Sequence, residues 1–274
     1  MWALPFLAAF LGPLLGEPFF NEDPGTAPIT WTVDETSGYS VPANATEWAD
    51  FNAYHDLETA APNSVWNLQE ASGNAADSVG SLTLTATNSP QYAQTATGWT
   101  RAGVGFTDGS TMRFTAGAGV GPDPLTTSSL WLYVYVLRSE GAAARVVGGA
   151  TRCASSTDNA RIGYSPSAGV NRLNITCDAA GTAVAGTDHE AGTQLMVLRY
   201  DRTNSNCAGF TQLVKGTATY SASLLDGEKG IGSNASPDMV CVYAAMWSGA
   251  AAEMTNTQLK ALLQALGWAI AWTP

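Results

Sequence analysis

The chain has 274 residues, of which 45% are hydrophobic, enough for the core of one large β domain or of two smaller domains. Charged residues make up only 13%, about half the usual share, so Ser, Thr, Asn and Gly must form much of the polar surface. The formal net charge is −11, and the 12 Lys and Arg are scattered singly, which argues against nucleic acid as a partner.

The N-terminal segment, residues 1–20, begins with a run of sixteen residues that carry no charged side chain. A secretory signal peptide would need a basic first region and a small-residue cleavage motif, and neither is present. A membrane-spanning helix needs about 20 apolar residues, whereas this run is shorter and contains Pro5 and Pro13. We therefore expect no membrane span but an apolar arm buried against partner chains, with signal or membrane roles as alternatives. Its assembly contacts are assigned to the large side chains Trp2, Phe6, Phe10, Phe19 and Phe20.

A connector rich in Pro, Gly and Thr follows at residues 21–43, and we expect it to be extended. A short helix is predicted next, because Asn44 can cap it and Glu47 occupies the capping-box position. Trp48 and Phe51 would share one face of that helix. The chain is accordingly divided into an attachment segment, residues 1–51, and a folded domain, residues 52–274.

The folded domain opens with two predicted pairs of strands. Val65–Thr85 has the pattern of a strand, a polar turn and a second strand, in which Leu82 and Leu84 alternate with Ser and Thr. Val104–Phe114 contains two short strands around Asp108–Gly109, a strong signal for a hairpin turn.

Further strands follow at short, regular spacing, as in β-sandwiches. Leu130–Arg138 is continuously apolar and aromatic, which predicts a central strand buried on both faces. A helix is predicted over residues 256–266, with Thr255 and Gln258 as its capping box. The other predicted strands are Ala144–Arg152, Ala160–Tyr164, Asn171–Cys177, Gln194–Asp201, Phe210–Ser221 and Met239–Gly249.

Taken together, these elements resemble the concanavalin A-like lectin or LamG-type jelly roll. The resemblance rests on the Val65–Thr85 strands, the Asp108–Gly109 turn, the strand order and the terminal helix, and it spans about residues 52–268. It implies an all-β fold, an antiparallel sandwich with a short helix before it and a helix at its C-terminal end. The segment Trp31–Phe51 also resembles tailed-phage structural proteins, in which it precedes a LamG-like module.

Catalytic motifs are scarce. Glycoside hydrolases need two carboxylates beside the cleaved bond, and the E-x-D-x-x-E strand of catalytic sandwiches is missing from this sequence. GxSxG and HExxH are also missing, and the two histidines, His55 and His189, offer little support for a Ser-His-Asp arrangement. We therefore expect that the protein is not an enzyme.

Binding is the remaining role that the resemblance implies. Some members of the family hold Ca²⁺ through loop carboxylates, and Asp77 and Asp108 are the candidate ligands here, although Asp108 also suits a tight turn. No other cofactor is expected. Sugars stack on aromatic rings, and the candidates for glycan binding are Tyr92, Trp99 and Tyr164, each of which could instead be a packing residue.

The four cysteines, Cys153, Cys177, Cys207 and Cys241, lie in the second half of the chain without the spacing of a metal site. Two interpretations remain open, two disulfides or four free thiols.

The function expected from the sequence is that of a virion protein of a tailed phage, for example a capsid decoration or tail fibre. The arm would bind other virion proteins, the assembly would be a homo-oligomer, with a trimer favoured, and the lectin-like module would display a carbohydrate-binding surface to host-surface glycans. The alternative is a secreted or surface-attached bacterial glycan-binding protein, located outside the cell rather than on a virion.

Overall fold

The computed structural model describes residues 32–34, 39–107, 110–117, 130–139, 145–150, 160–167, 170–177, 180–183, 195–201, 206–219, 229–232 and 238–274. These residues form mostly antiparallel β-strands, which confirms the predicted all-β sandwich. A two-stranded hairpin, β1 (Thr32–Asp34) and β2 (Tyr39–Val41), precedes the sandwich.

The first sheet consists of seven strands, which are β4 (Thr85–Thr87), β7 (Arg113–Ala116), β9 (Arg145–Ala150), β10 (Ala160–Ser167), β11 (Val170–Cys177), β12 (Ala180–Ala183) and β16 (Lys229–Gly232). Across the sheet they lie in the order β12-β11-β10-β9-β16-β7-β4. The second sheet has the order β15-β14-β13-β8-β17-β6-β5, and β3 also pairs with β17. Its strands are β3 (Ser64–Trp66), β5 (Gln91–Thr95), β6 (Ala102–Phe106), β8 (Leu130–Ser139), β13 (Leu195–Asp201), β14 (Asn206–Phe210), β15 (Lys215–Thr219) and β17 (Met239–Ser248).

Two hydrophobic cores lie on opposite faces of the second sheet. The first core fills the space between the sheets, where Phe114 of the first sheet meets Phe106 of the second with ring centroids 6.2 Å apart. The second core joins the outer face of the second sheet to two helices, α1 (Ala45–Tyr54) and α2 (Asn256–Ala265). The central strands of this sheet are therefore covered on both faces.

Strand β8 confirms the predicted central strand. Leu132, Val134 and Val136 belong to the second core, whereas Tyr135 and Leu137 belong to the first. The alternation follows from the period of two along a strand, with both faces buried. Its neighbour β17 is buried from Met239 through Trp247, so the closing strand is equally central.

The predicted helix near the C-terminus is confirmed as α2. The Thr255 side chain accepts a hydrogen bond from the Gln258 backbone N–H, and the Gln258 side chain accepts one from the Thr255 backbone N–H, so the capping box is complete. The leucine face packs into the second core, with Leu259, Leu262, Leu263 and Leu266 all buried.

The predicted hairpin around Asp108–Gly109 is wrong. Strand β6 pairs with β5 and β17 in the second sheet, whereas β7 pairs with β4 and β16 in the first. The connection between them therefore crosses from one sheet to the other. A turn signal between two apolar strands cannot distinguish a hairpin within one sheet from a connection between two facing sheets. In both cases the chain reverses its direction, and Phe106 and Phe114 face the same core.

Helix α1 belongs to the sandwich. Asn44 caps it, as predicted, by accepting hydrogen bonds from the backbone N–H groups of Thr46 and Glu47. Trp48 and Phe51 are fully buried, and the Trp48 ring packs edge-on against Trp247 of β17 with centroids 5.5 Å apart. The boundary expected between residues 51 and 52 thus falls within a helix that completes the second core.

The C-terminal tail docks on its own sandwich. The Trp272 indole N–H donates to the Thr211 carbonyl at 2.9 Å, and its ring packs against Phe210 with centroids 5.1 Å apart. Lys215 and Lys260 each place the ammonium group 5.9 Å from the centre of the Trp272 ring. These contacts fix the end of the chain over the second core.

The cysteines fit neither interpretation offered by the sequence. Cys241 is a free thiol buried in β17, which excludes two disulfides among four cysteines. Cys207 of β14 is disulfide-bonded, which excludes four free thiols.

Candidate functional site

The most distinctive local feature is a break along one edge of β17. Strand β8 pairs with β17 along its opposite edge, with a register shift between Cys241 and Tyr243. On the broken edge, β6 pairs with Met239–Cys241 and β3 pairs with Ala244–Met246. Among the described strands, none continues the ladder between these two ranges. Bulges and ladder breaks of this kind often re-aim side chains toward functional sites.

Two polar side chains lie where the two short strands meet. Arg101 directly precedes β6, and Asn67 directly follows β3, so the antiparallel pairing brings both beside the break. The Gln69 side chain links the two segments because its amide donates to the Ala102 carbonyl. The Asn67 amide nitrogen donates to the Ala43 carbonyl at 2.9 Å, which ties the break to the start of α1.

Both side chains have buried polar atoms that lack a hydrogen-bond partner among the described residues. In Arg101 these atoms are Nε and Nη1, and in Asn67 the atom is Oδ1. A buried polar group without a partner costs about 1–3 kcal/mol, and more when it is charged. Such groups are rare in folded proteins, and a bound water or ion and a catalytic role are among the explanations for them.

The polar groups near Arg101 already form hydrogen bonds with other residues. The Tyr243 hydroxyl accepts from the Trp48 indole at 3.2 Å and donates to the Pro42 carbonyl at 3.3 Å. Burial raises the pKa of Tyr243, which the Trp48 hydrogen bond and the Arg101 charge only partly offset, so the phenol stays protonated. The nearby Glu47 accepts from the Ala43 backbone N–H and from the Asn44 side chain.

Of the predicted cation ligands, Asp77 is held by the backbone. Its Oδ1 accepts from the N–H groups of Val65, Val79 and Gly80 at 2.8–3.0 Å, and its Oδ2 accepts from Leu82 at 2.9 Å. These bonds fix the loop that follows β3 and account for the carboxylate without a cation. The calcium site stays a prediction.

Asp108 lies outside the described residues, as do the arm residues Trp2, Phe6, Phe10, Phe19 and Phe20. Within the described ranges, no group of three or more His, Cys, Asp or Glu side chains could hold a metal ion. None of the helices in the described part is long and apolar enough to cross a membrane.

Of the predicted glycan-binding aromatics, Trp99 and Tyr92 pack against different cores. Trp99 is buried in the second core, which leaves its ring almost no exposed face. Tyr92 is half-buried against the first core, and its hydroxyl donates to the Gly73 carbonyl. Tyr164 lies in β10, where only its backbone is described. Their glycan-binding roles stay predictions, and the geometry of Trp99 does not support one.

An exposed aromatic ring that the sequence interpretation missed is that of Tyr54. It ends α1 and leaves 44% of its surface exposed, beside His55 with ring centroids 4.9 Å apart. Among the large apolar side chains of the described residues, only Leu213, at 45%, is similarly exposed. In the sequence, this exposure is indicated by the position of Tyr54, which lies outside the helix face that Trp48 and Phe51 form. No local pattern pointed to Arg101 and Asn67, because strand pairing across the molecule brings them together.

No protein-family model matches the chain, and no curated protein sequence matches it. Among solved structures, the chain is similar to a mutant of Trypanosoma rangeli sialidase displaying trans-sialidase activity, at 11% identity and TM-score 0.50, over 80% of this chain and 38% of that one. It is also similar to Trypanosoma rangeli sialidase in complex with sialic acid, at 9% identity and TM-score 0.50, over 80% and 37%.

A third likeness is to domain 4 of an extracellular GH43 arabinanase from Geobacillus stearothermophilus, in complex with arabinotriose. Its identity is 15% and its TM-score 0.42, over 75% of this chain and 99% of that one, which is too distant to carry an argument. The chain spans less than two fifths of the length of the sialidases. The likenesses to the two sialidase structures bear out the sandwich fold and give no support to the phage context.

The comparisons correct one expectation. The sequence predicted a protein that is not an enzyme, because it lacks the paired-carboxylate strand of catalytic sandwiches. Structures that share this fold include sialidases, however. The prediction that the protein is not an enzyme is therefore wrong as an inference from the fold, since sialidases contain such a sandwich.

Proposed function

We propose that the sandwich is a glycan-binding module of a carbohydrate-active protein. The observation that carries this proposal is the fold shared with the sialidase structures, one of which is in complex with sialic acid. The shared region is less than two fifths of those chains, so the proposal concerns recognition of sugar rather than their reaction.

The described surface offers a suitable contact for a sugar ring. The exposed part of Tyr54 provides an apolar surface, and Tyr54 ends a helix that Trp48 and Phe51 anchor in the second core. The low charge of the chain leaves Ser, Thr, Asn and Gly to supply much of the neutral hydrogen-bonding surface of the protein. Such a combination of an apolar ring and polar partners suits the mixed surface of a carbohydrate.

A glycan array probed with the full chain tests this proposal. We expect binding to a chemically related subset of glycans, and binding to none of them would contradict it. Incubating the protein with the bound glycans and measuring released sugar determines in the same experiment whether binding leads to turnover.

We further propose that the N-terminal arm, residues 1–20, attaches the module to a larger assembly, with a phage virion as the setting expected from the resemblance of Trp31–Phe51. The apolar arm supports this proposal, because large exposed side chains would otherwise favour aggregation. Deleting residues 1–20 should leave the sandwich folded and abolish assembly, which analytical ultracentrifugation would show. Unchanged assembly would contradict the proposal.

A further inference from the structure

We infer that Cys177, the last residue of β11, forms a disulfide bond with Cys207 of β14, and that this bond joins the two sheets across the first core. The bond forms in an oxidising environment, outside the reducing cytosol.

The set of possible partners for Cys207 is small. Cys207 is disulfide-bonded in a chain of four cysteines, and Cys241 is a free thiol. The partner is therefore Cys153 or Cys177. Cys153 lies outside the described residues, whereas Cys177 belongs to a described strand whose register and neighbours are known.

The strand register places position 177 on the core face of the first sheet. Ile162 of β10 belongs to the first core, and it pairs directly with Ile175 of β11. Directly paired residues share a face of the sheet, and the same face recurs at every second residue of a strand. Position 177 therefore lies on the face that Ile162 presents to the first core. Cys207 belongs to the same core from the opposite sheet, as does its strand partner Tyr200.

Strands β11 and β14 lie close together although they belong to different sheets. Their Cα atoms approach within 8 Å, whereas packed sheets usually lie about 10 Å apart. Disulfide-bonded cysteines have Cα atoms about 4.4–6.8 Å apart, so a bond between two sheets requires such an approach. The sequence permits it, because Ala, Gly and Thr make up most of the adjacent strands β12 and β15. The backbone thus brings the strand of Cys177 to the strand of Cys207.

The chemistry of the bond indicates where it forms. The two thiols lose two protons and two electrons as the S–S bond forms, and an external disulfide, of a small molecule or an oxidoreductase, takes them up and becomes two thiols. The cytosol keeps thiols reduced, whereas the cell exterior and the virion surface allow disulfides to persist. Cys207 is fully buried, so a reductant cannot reach its sulfur while the sandwich is folded. The bond also restricts the unfolded chain between residues 177 and 207, which stabilises the fold.

Peptide mapping of the full chain without reductant tests the pairing. Trypsin cleaves after Arg and Lys and therefore places the four cysteines on four separate peptides. Mass spectrometry should find the peptide of Cys177 linked to that of Cys207. A link from Cys207 to Cys153, or a Cys207 thiol that is alkylated in denaturant without reductant, would overturn the inference.

Two serine variants test what the bond contributes. Cys177→Ser should lower the melting temperature by about 5–10 °C, because the unfolded chain gains freedom, and should leave Cys207 open to alkylation in denaturant. Cys153→Ser is the matched control and should keep both the bond and the wild-type melting temperature. Equal melting temperatures of the two variants would contradict a bond at Cys177, and if Cys177→Ser does not fold, the peptide map of the wild-type chain decides.

The environment is tested by producing the full chain in the bacterial cytosol and, behind a secretion signal, in the periplasm, with thiols alkylated before lysis. Cys207 should be alkylated in the cytosolic protein and bonded to Cys177 in the exported one. Alkylation in both would overturn the bond itself. A bond in both would overturn the assignment to an oxidising environment.

Discussion

Asp77 shows how one side chain can fix a loop. Its carboxylate accepts hydrogen bonds from the backbone N–H groups of four residues, and at Gly80 an added Cβ would lie 2.3 Å from the Asn63 carbonyl oxygen. The loop therefore closes tightly around the carboxylate. The sequence drew attention to Asp77 as a candidate cation ligand, whereas the structure shows its contacts with the backbone.

Asp77→Ala should lower the free energy of unfolding by about 3 kcal/mol, because four backbone N–H groups, three of them in partly buried hydrogen bonds, lose their acceptor. Asp50→Ala, at an exposed position on α1, is the matched control and should change it by less than about 0.5 kcal/mol. Urea denaturation with and without Ca²⁺ measures both. Equal stability of the Asp77 variant and the wild type would contradict the structural role, and Ca²⁺ stabilisation that depends on Asp77 would support the calcium site.

Cys241 makes the stability depend on pH. Burial raises the pKa of its thiol from 9.0 to about 12. Below pH 9 both the folded and unfolded thiols are protonated, whereas at higher pH the unfolded thiol ionises first. The contribution to stability is therefore present below pH 9 and is lost as the pH rises toward 12.

We expect the free energy of unfolding to fall with a slope of up to about 1.4 kcal/mol per pH unit from this thiol. The raised pKa of Tyr243 acts in the same direction, so Cys241→Ala should reduce the slope without removing it. Denaturation curves of both proteins between pH 8 and pH 11 give the comparison. Parallel curves would show that the thiol is not buried in the folded protein.

At the scale of elements, α2 closes the second core. Leu263 is fully buried, whereas the adjacent Gln264 is exposed. Substitutions at these two neighbouring positions therefore distinguish the effect of core packing from that of helix propensity. Trp268 and Trp272 continue the same apolar cover beyond the helix.

Leu263→Ala should destabilise the protein by about 2–5 kcal/mol, since it leaves a cavity beneath the helix. Gln264→Ala removes a side chain of similar length from the solvent side and should leave stability within about 0.5 kcal/mol. Thermal unfolding of the two variants provides the measurement. Similar melting temperatures would mean that the leucine face does not pack on the sheet.

Sequence patterns were most informative where a single element determines its own structure. The capping box of Thr255 and Gln258 defined α2, and the continuous apolar run in β8 indicated a strand covered on both faces. The sequence did not allow the partner of each strand to be predicted. Strands β6 and β7 show the same alternation of apolar and polar residues whether they pair with each other or face each other across the core. Arg101 and Asn67, 34 positions apart, became neighbours only through their strands' shared edge of β17.

At the scale of the whole molecule, the second sheet is the centre of the fold. The first sheet covers one face, and α1, α2 and the C-terminal tail cover the other. This arrangement leaves Tyr54 at an outer end of α1 and the polar break at the edge of β17, so the candidate binding groups are supported by rigid elements.

The central claim, that this sandwich binds a glycan, is tested most directly by calorimetric titration of the full chain with the strongest ligand from the array. We expect saturable binding, weakened about tenfold by Tyr54→Ala because stacking on the exposed ring is lost. Leu213→Ala, which removes the other exposed large apolar side chain, is the control and should bind as the wild type does. The absence of saturable binding by the wild-type protein would contradict the claim, and equal affinity of the Tyr54 variant would remove Tyr54 from the site.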